Sequence, residues 1–198
     1  MTDFFSLLNE PRRPWLDSDA LKEKFLALSA SVHPDRVHHL SAVEREQAHQ
    51  RYTDLNTGFN CLREPRLRLK HLLELELGKK PSDLTQVPED LMTVFFEIGR
   101  TMREVDAFLT EKSGATSPLL KVQLFERNME MTDILNNLKQ QLSSRRDALM
   151  DRLRELDLSW SQPAAPNVLA RLENVYRLIS YHDRWIAQVS ERLSLLAL

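Results

Sequence analysis

Apolar residues recur along this chain at steps of three and four, with little alternation at a step of two, so the pattern predicts amphipathic helices from end to end. The first begins after Trp15. Leu16 and Leu21 flank Asp17 with the spacing of a hydrophobic staple around an N-cap, and Leu21, Phe25, Leu28 and Val32 follow on one face. Pro34 stops this helix, because proline disfavours helical geometry in the residue before it; His33 is expected to turn out and to open an exposed connection. Ser41 with Glu44 reads as the capping box of a second helix, whose facing stripe is Ala48, Tyr52, Leu55, Phe59 and Leu62. A helical hairpin results. Pro65 opens a bracing helix with Leu69, Leu72, Leu73 and Leu77 on its buried side and Gly78 as the left-handed residue beyond its end.

The stretch GKKPSDLTQVP is punctuated by prolines and poor in large apolar residues, which places a linker at 79–87 between domains spanning 1–78 and 88–198. Past it, Leu91, Phe95, Ile98, Met102, Val105 and Leu109 form a heptad-like seam. A second helix starts at Ser117-Pro118 and runs to about Leu158, and SWSQPAAP separates it from a last helix with Leu172, Val175, Ile179, His182, Ile186, Val189, Leu193 and Leu196 on its seam. The fold class is therefore all-α: an N-terminal hairpin with bracing helices, then an antiparallel three-helix bundle. Trp15, Tyr52, Met129 and Met131 are assigned to core. Two rows exceed what a seam needs. One is Met92 and Phe96, continuing to Gly99 and Arg103; the other is Leu178, Tyr181 and Trp185, and together they predict an apolar patch outside the core.

Composition removes whole classes of function. Of 198 residues, 27 are Lys or Arg and 29 Asp or Glu, a net charge of -2 with no long like-charge block, which leaves no footprint for gripping nucleic acid. The four glycines, Gly58, Gly78, Gly99 and Gly114, are too scattered for a dinucleotide fingerprint or a phosphate loop. The single Cys61 excludes an internal disulfide and all-cysteine zinc or iron–sulfur sites, so no resident cofactor is expected and any cluster belongs to a partner. No apolar run reaches the roughly 18 residues of a membrane helix, and Met1 to Leu8 lacks the pattern of a targeting segment. A cytoplasmic protein, and a bacterial one, is the expectation.

The chemistry concentrates at the bend of the hairpin. His33-Pro34-Asp35 combines a proline that fixes the turn, an imidazole that packs and hydrogen-bonds, and a carboxylate able to take a bidentate arginine. This is a docking hook. Around it the chain resembles J-domain co-chaperones, and specifically the HscB family of iron–sulfur-assembly co-chaperones. The resemblance rests on FFSLL at the start, the Leu21/Phe25/Leu28 stripe, HPDR at His33 to Arg36, LNTGF at Leu55 to Phe59 and LREPRLRLKHLLELELG at Leu62 to Gly78. A leucine-rich helical second domain completes it.

That resemblance implies a two-domain adaptor and not an enzyme. His33, Pro34, Asp35 and Arg36, with Lys22 and Lys24 on the preceding helix, would dock on an ATPase chaperone of the DnaK/HscA class and stimulate its hydrolysis. Leu91, Met92, Phe95, Phe96 and Leu178 would bind the iron–sulfur cluster scaffold protein and deliver it. Family members carry basic residues just before the tripeptide and an aromatic ahead of the histidine, where this chain has Ala30, Ser31 and Val32. They also place glutamates along the first bundle helix, where Phe96, Gly99 and Arg103 stand here, with Glu97 and Glu104 one place away.

Two other readings are open to the residues. One is a general J-domain co-chaperone with another client. The other is a helical metal-dependent phosphohydrolase built on His33, Asp35, His38 and His39 or on His182-Asp183; it is disfavoured because adjacent His38 and His39 diverge and His182 falls on a seam. The sequence leaves the oligomeric state open between a monomer and a weak dimer.

Overall fold

The computed structural model describes residues 2–39, 41–81, 87–114 and 117–197, the side chains of Pro34, Pro118 and Lys121 excepted. Of the expected linker 79–87, residues 82–86 lie outside the described residues. Among the described residues the secondary structure is helical without strands: α1 (Phe4–Leu7), α2 (Ser18–Ser31), α3 (Pro34–Val37), α4 (Ala42–Arg63), α5 (Pro65–Leu77), a 3-10 turn (Glu89–Leu91), α6 (Met92–Ser113), α7 (Pro118–Leu158) and α8 (Pro166–Leu196). The chain clusters into two compact units, Met1–Ser82 with Asp151–Tyr176 and Asp83–Met150 with Arg177–Leu198.

In the first unit the signals read from sequence act as expected. The Asp17 carboxylate accepts from the Asp19 and Ala20 amides at the start of α2, and Ser41 and Glu44 form a reciprocal capping box on α4. Phe25 stacks on Phe59 with ring centroids 4.3 Å apart, and Leu21, Leu55, Leu62, Leu69, Leu72 and Leu73 are wholly buried where α2, α4 and α5 meet. Gly78 ends α5 at φ 65, in the left-handed region that favours glycine. Trp15 and Tyr52, expected in the core, are half-buried.

Two polar anchors hold this unit and were not foreseen. Arg68 on α5 is buried and donates to the Pro14 carbonyl at 2.9 Å and to the Leu62 carbonyl at 2.7 Å; burial pushes its pKa down to about 10, so it stays charged at neutral pH. Asp157, buried at the end of α7, accepts a bidentate pair from Arg13 and the Trp15 amide at 3.0 Å, while Arg154 lies 4.3 Å over the Trp15 ring. The short α1 is held by His71 of α5, whose Nε2 accepts from the Phe4 amide at 3.1 Å with both neighbouring Phe rings against the imidazole.

The second unit is an up-down-up bundle. Arg127 near the start of α7 bonds Glu111 near the end of α6 at 2.6 Å, so these helices run antiparallel. Arg192 on α8 pairs with Asp106 on α6, and Lys112 reaches the Leu196 carbonyl at 2.8 Å, so α6 and α8 run parallel. Arg146 and Asp183, 2.6 Å apart, tie α7 to α8.

Register within this unit differs from the expectation in three places. The buried face of α6 is Leu91, Val94, Ile98, Thr101, Met102, Val105 and Phe108; Phe95 turns outward and Leu109 is half-buried. Leu91, Ile98, Met102 and Val105 are buried as expected, Val94 and Phe108 take the inner positions expected of Phe95 and Leu109, and small Thr101 serves as a core position that an apolar count passes over. Leu178, Tyr181 and Trp185, expected as a partly exposed row, are buried with the seam, because α8 is enclosed around most of its circumference from Leu178 to His182. Met129 is exposed and Met131 half-buried, so neither is core.

Candidate functional site

The hook at the hairpin bend is assembled by local chemistry. α2 ends at Ser31, Val32 caps it, and His33 adopts extended geometry (φ -63, ψ 134) as the N-cap of α3. Pro34 occupies the first helical position, where a missing N–H costs nothing. The short, exposed connection expected here is one helical turn, pinned to α4 by buried Val37.

The two described side chains of the tripeptide are held differently. The His33 Nδ1 accepts from the Asp35 amide at 3.3 Å, which leaves the proton on Nε2, and the ring meets Tyr52 of α4 edge-on at 5.6 Å. Its side chain is 43% exposed, against 89% for Asp35, whose carboxylate lies 3.6 Å from the His33 ring and otherwise faces outward. The imidazole thus braces the turn while the carboxylate is presented. The Pro34 side chain lies outside the described residues.

The expected basic residues divide. Lys22 and Arg36 are exposed without an ion pair among the described residues. Lys24 instead is tied internally, 2.9 Å from Glu10 and 3.2 Å from the Asn9 carbonyl, so its charge is largely neutralised within the chain.

The second candidate face lies on α6 and α8 in the second unit. Met92, Phe95 and Phe96 are exposed, with Phe95 and Phe96 at 40% and 63% and their rings in edge contact at 5.7 Å. Leu91 and Leu178 are not at the surface: they are 6% and 4% exposed and belong to the buried floor of their helices. Periodicity places Leu91 on the α6 seam, in keeping with its burial, and Leu178 beside the α8 seam, where enclosure of the helix buries it too.

The remaining candidates carry no site. His38 bonds the Asp35 carbonyl at 2.8 Å, and among the described residues no three of His, Cys, Asp and Glu are placed to hold a metal. The His182 Nδ1 donates to the Leu178 carbonyl at 2.8 Å in the core of α8. Burial pushes the Cys61 thiol up to about 11, and its Sγ points to the Leu67 carbonyl at 3.6 Å, which makes it an inert structural group. Among the described residues no helix is long and apolar enough to cross a membrane.

A helical hairpin that carries His-Pro-Asp at its bend, braced by a further helix and followed by a helical bundle, has the architecture of a J-domain joined to a helical C-terminal domain. Comparison with known proteins narrows this. The chain is 45% identical over 73 residues to the co-chaperone protein HscB homolog of Azoarcus sp. (37% of this chain, 41% of that protein). It is 28% identical over 156 residues to the HscB homolog of Haemophilus ducreyi, covering 78% of this chain and 89% of that protein. At 40% identity and above, the chain spans about two fifths of the length of the relatives it matches. No protein-family model matches it. Among solved structures, chaperone HscB from Vibrio cholerae superposes with a TM-score of 0.64 at 17% identity, over 98% of this chain and 99% of that one. Human co-chaperone protein HscB superposes with a TM-score of 0.59, also at 17% identity, over 100% and 83%. The resemblance to HscB-type J-domain co-chaperones thus holds in sequence through the curated relatives, and the all-α two-part fold is that of the HscB structures.

Proposed function

We propose that this chain is a co-chaperone that binds two proteins at once: an ATPase chaperone of the DnaK/HscA class through the His33-Pro34-Asp35 hook, and an iron–sulfur cluster scaffold protein through the 88–198 domain. The 1–78 segment acts as the J-domain. The single observation that carries the reading is the Asp35 carboxylate, 89% exposed beside a His33 ring that rests against Tyr52. Such a carboxylate takes an arginine of the chaperone in bidentate form, with Arg36 and Lys22 adding favourable charge around it. Hydrolysis occurs in the chaperone; this chain supplies no catalytic group.

Met92, Phe95 and Phe96 supply the apolar contact for the scaffold, with Leu91 and Leu178 in the buried floor of the same two helices. Holding both partners on one chain raises the effective concentration of each for the other, so delivery gains without any new contact. The test is a steady-state ATPase assay of a DnaK/HscA-class chaperone with this protein, with and without a cluster scaffold protein. The reading expects stimulation by this protein alone and a further rise when scaffold is added. No stimulation in either arm contradicts it; stimulation that scaffold never alters, with no scaffold binding by calorimetry, reduces it to a general J-domain co-chaperone.

A further inference from the structure

Gly99 stands in the middle of α6, where glycine weakens a helix relative to alanine. Nothing in the fold requires it there. A methyl group at that position would meet only the far end of the Arg103 side chain, 3.6 Å away, and its backbone is ordinary helix. The glycine opens instead into a groove of about 190 Å³ between α6 and α8, whose walls include Phe95, Ile98, Met102, Trp185 and Gln188. The groove continues the exposed apolar row of Met92, Phe95 and Phe96.

Most of the charge beside this row is paired within the chain. Asp106 and Glu191 are both bonded to Arg192, which flanks the groove, and Arg100 has Glu104 beside it at 3.9 Å. Arg103, exposed one turn beyond Gly99, has no ion pair among the described residues. An apolar slot beside an unpaired guanidinium calls for a ligand that offers an apolar side chain and a carboxylate together.

We infer that Gly99 is a notch through which the protein partner of this face seats one large apolar side chain against Phe95 and Trp185, with an acidic residue of the same segment paired to Arg103. This rests on the scaffold-binding reading and names the chemistry of the segment the scaffold presents. Gly99 and Arg103 then set specificity, while Met92 and Phe96 supply general apolar area.

The test measures binding of a cluster scaffold protein to the full chain by calorimetry, with thermal unfolding of each variant. Gly99→Ala and Gly99→Leu fill the notch; both are expected to unfold no earlier than the parent, because a helix-favouring residue replaces glycine, yet Gly99→Leu binds scaffold at least about tenfold more weakly and Gly99→Ala less so. Arg103→Glu is expected to weaken binding by about tenfold at low salt with a smaller loss at high salt, while Arg103→Lys retains most of the affinity. If Gly99→Leu and Arg103→Glu bind as the parent does while Met92→Ala with Phe95→Ala binds weakly, the notch is overturned and the scaffold face stands. If the parent binds no scaffold, both fall. Concentration-dependent dimerisation that Gly99→Leu abolishes would assign the groove to a second copy of this chain and overturn the inference.

Discussion

The bend of the hairpin and the α6–α8 face are the two surfaces proposed to meet other molecules, but they are built over different ranges of sequence. At the bend, most determinants lie within a few residues, with Tyr52 of α4 behind them: Pro34 fixes the turn, His33 caps it, and Asp35 projects from it. On α6 and α8 the exposed groups are set by how far each helix is wrapped by its neighbours, so residues far apart in sequence decide whether Phe95 or Leu178 reaches solvent. A hook of the first kind is set mainly by the residue types of one short segment. A face of the second kind tolerates substitution at its rim and none at its floor.

That contrast is broken most severely at the floor. Leu178→Ala removes a buried side chain and is expected to lower the unfolding free energy by about 2–5 kcal/mol, with any loss of scaffold affinity following from that; a melting curve like the parent's would return Leu178 to the surface. Arg68→Ala, which strands the Pro14 and Leu62 carbonyls in the first unit, is expected to cost on the order of 3 kcal/mol by denaturant titration. At the rim, Met92→Ala and Phe95→Ala are each expected to lower scaffold affinity by about 1–3 kcal/mol while leaving the melting midpoint nearly unchanged. Normal affinity in the folded double variant removes that surface.

Smaller effects sharpen the bend. Lys22→Ala and Arg36→Ala are expected to slow association with the chaperone a few-fold at low salt, roughly in keeping with rim charges elsewhere, whereas Lys24→Ala changes it little because Glu10 already holds that ammonium. Stopped-flow association rates separate the three. The smallest is a pH effect on α1. Burial, opposed by the charges of Asp3 and Glu74, lowers the His71 pKa below its ordinary 6.5, and its Nε2 must be unprotonated to accept from Phe4. The folded state therefore binds this proton less readily than the unfolded chain, so the contribution is complete above about pH 6.5 and is lost as pH falls below it. Thermal unfolding at pH 7.5 and 5.5 should show a larger acid loss for the parent than for His71→Asn.

Much of the first unit was legible in sequence because its signals are local. Asp17, the Ser41/Glu44 box, Pro65 and Gly78 mark helix ends by the hydrogen bonds they make to the nearest backbone groups, and each appears where expected. What escaped were the long-range polar anchors, Arg13 and Trp15 on Asp157 and Arg68 on Pro14, since nothing near those residues announces a partner 54 or 144 positions away. In the second unit the helices were legible and their rotations were not. On α6, Val94 and Phe108 are buried where the seam pattern chose Phe95 and Leu109, since both sets lie at three-and-four spacing from Leu91, and α8 proved enclosed on sides that a one-seam pattern leaves open. The hook was readable as a motif; the pairing of Lys24 with Glu10 needed coordinates.

The account rests on Asp35 acting across an interface and not within this chain. The most direct measurement is the ATPase rate of a DnaK/HscA-class chaperone in the presence of Asp35→Ala, with scaffold binding and the melting curve followed on the same preparation. The expected result is loss of stimulation with both other readouts unchanged. Stimulation equal to that of the parent would contradict it.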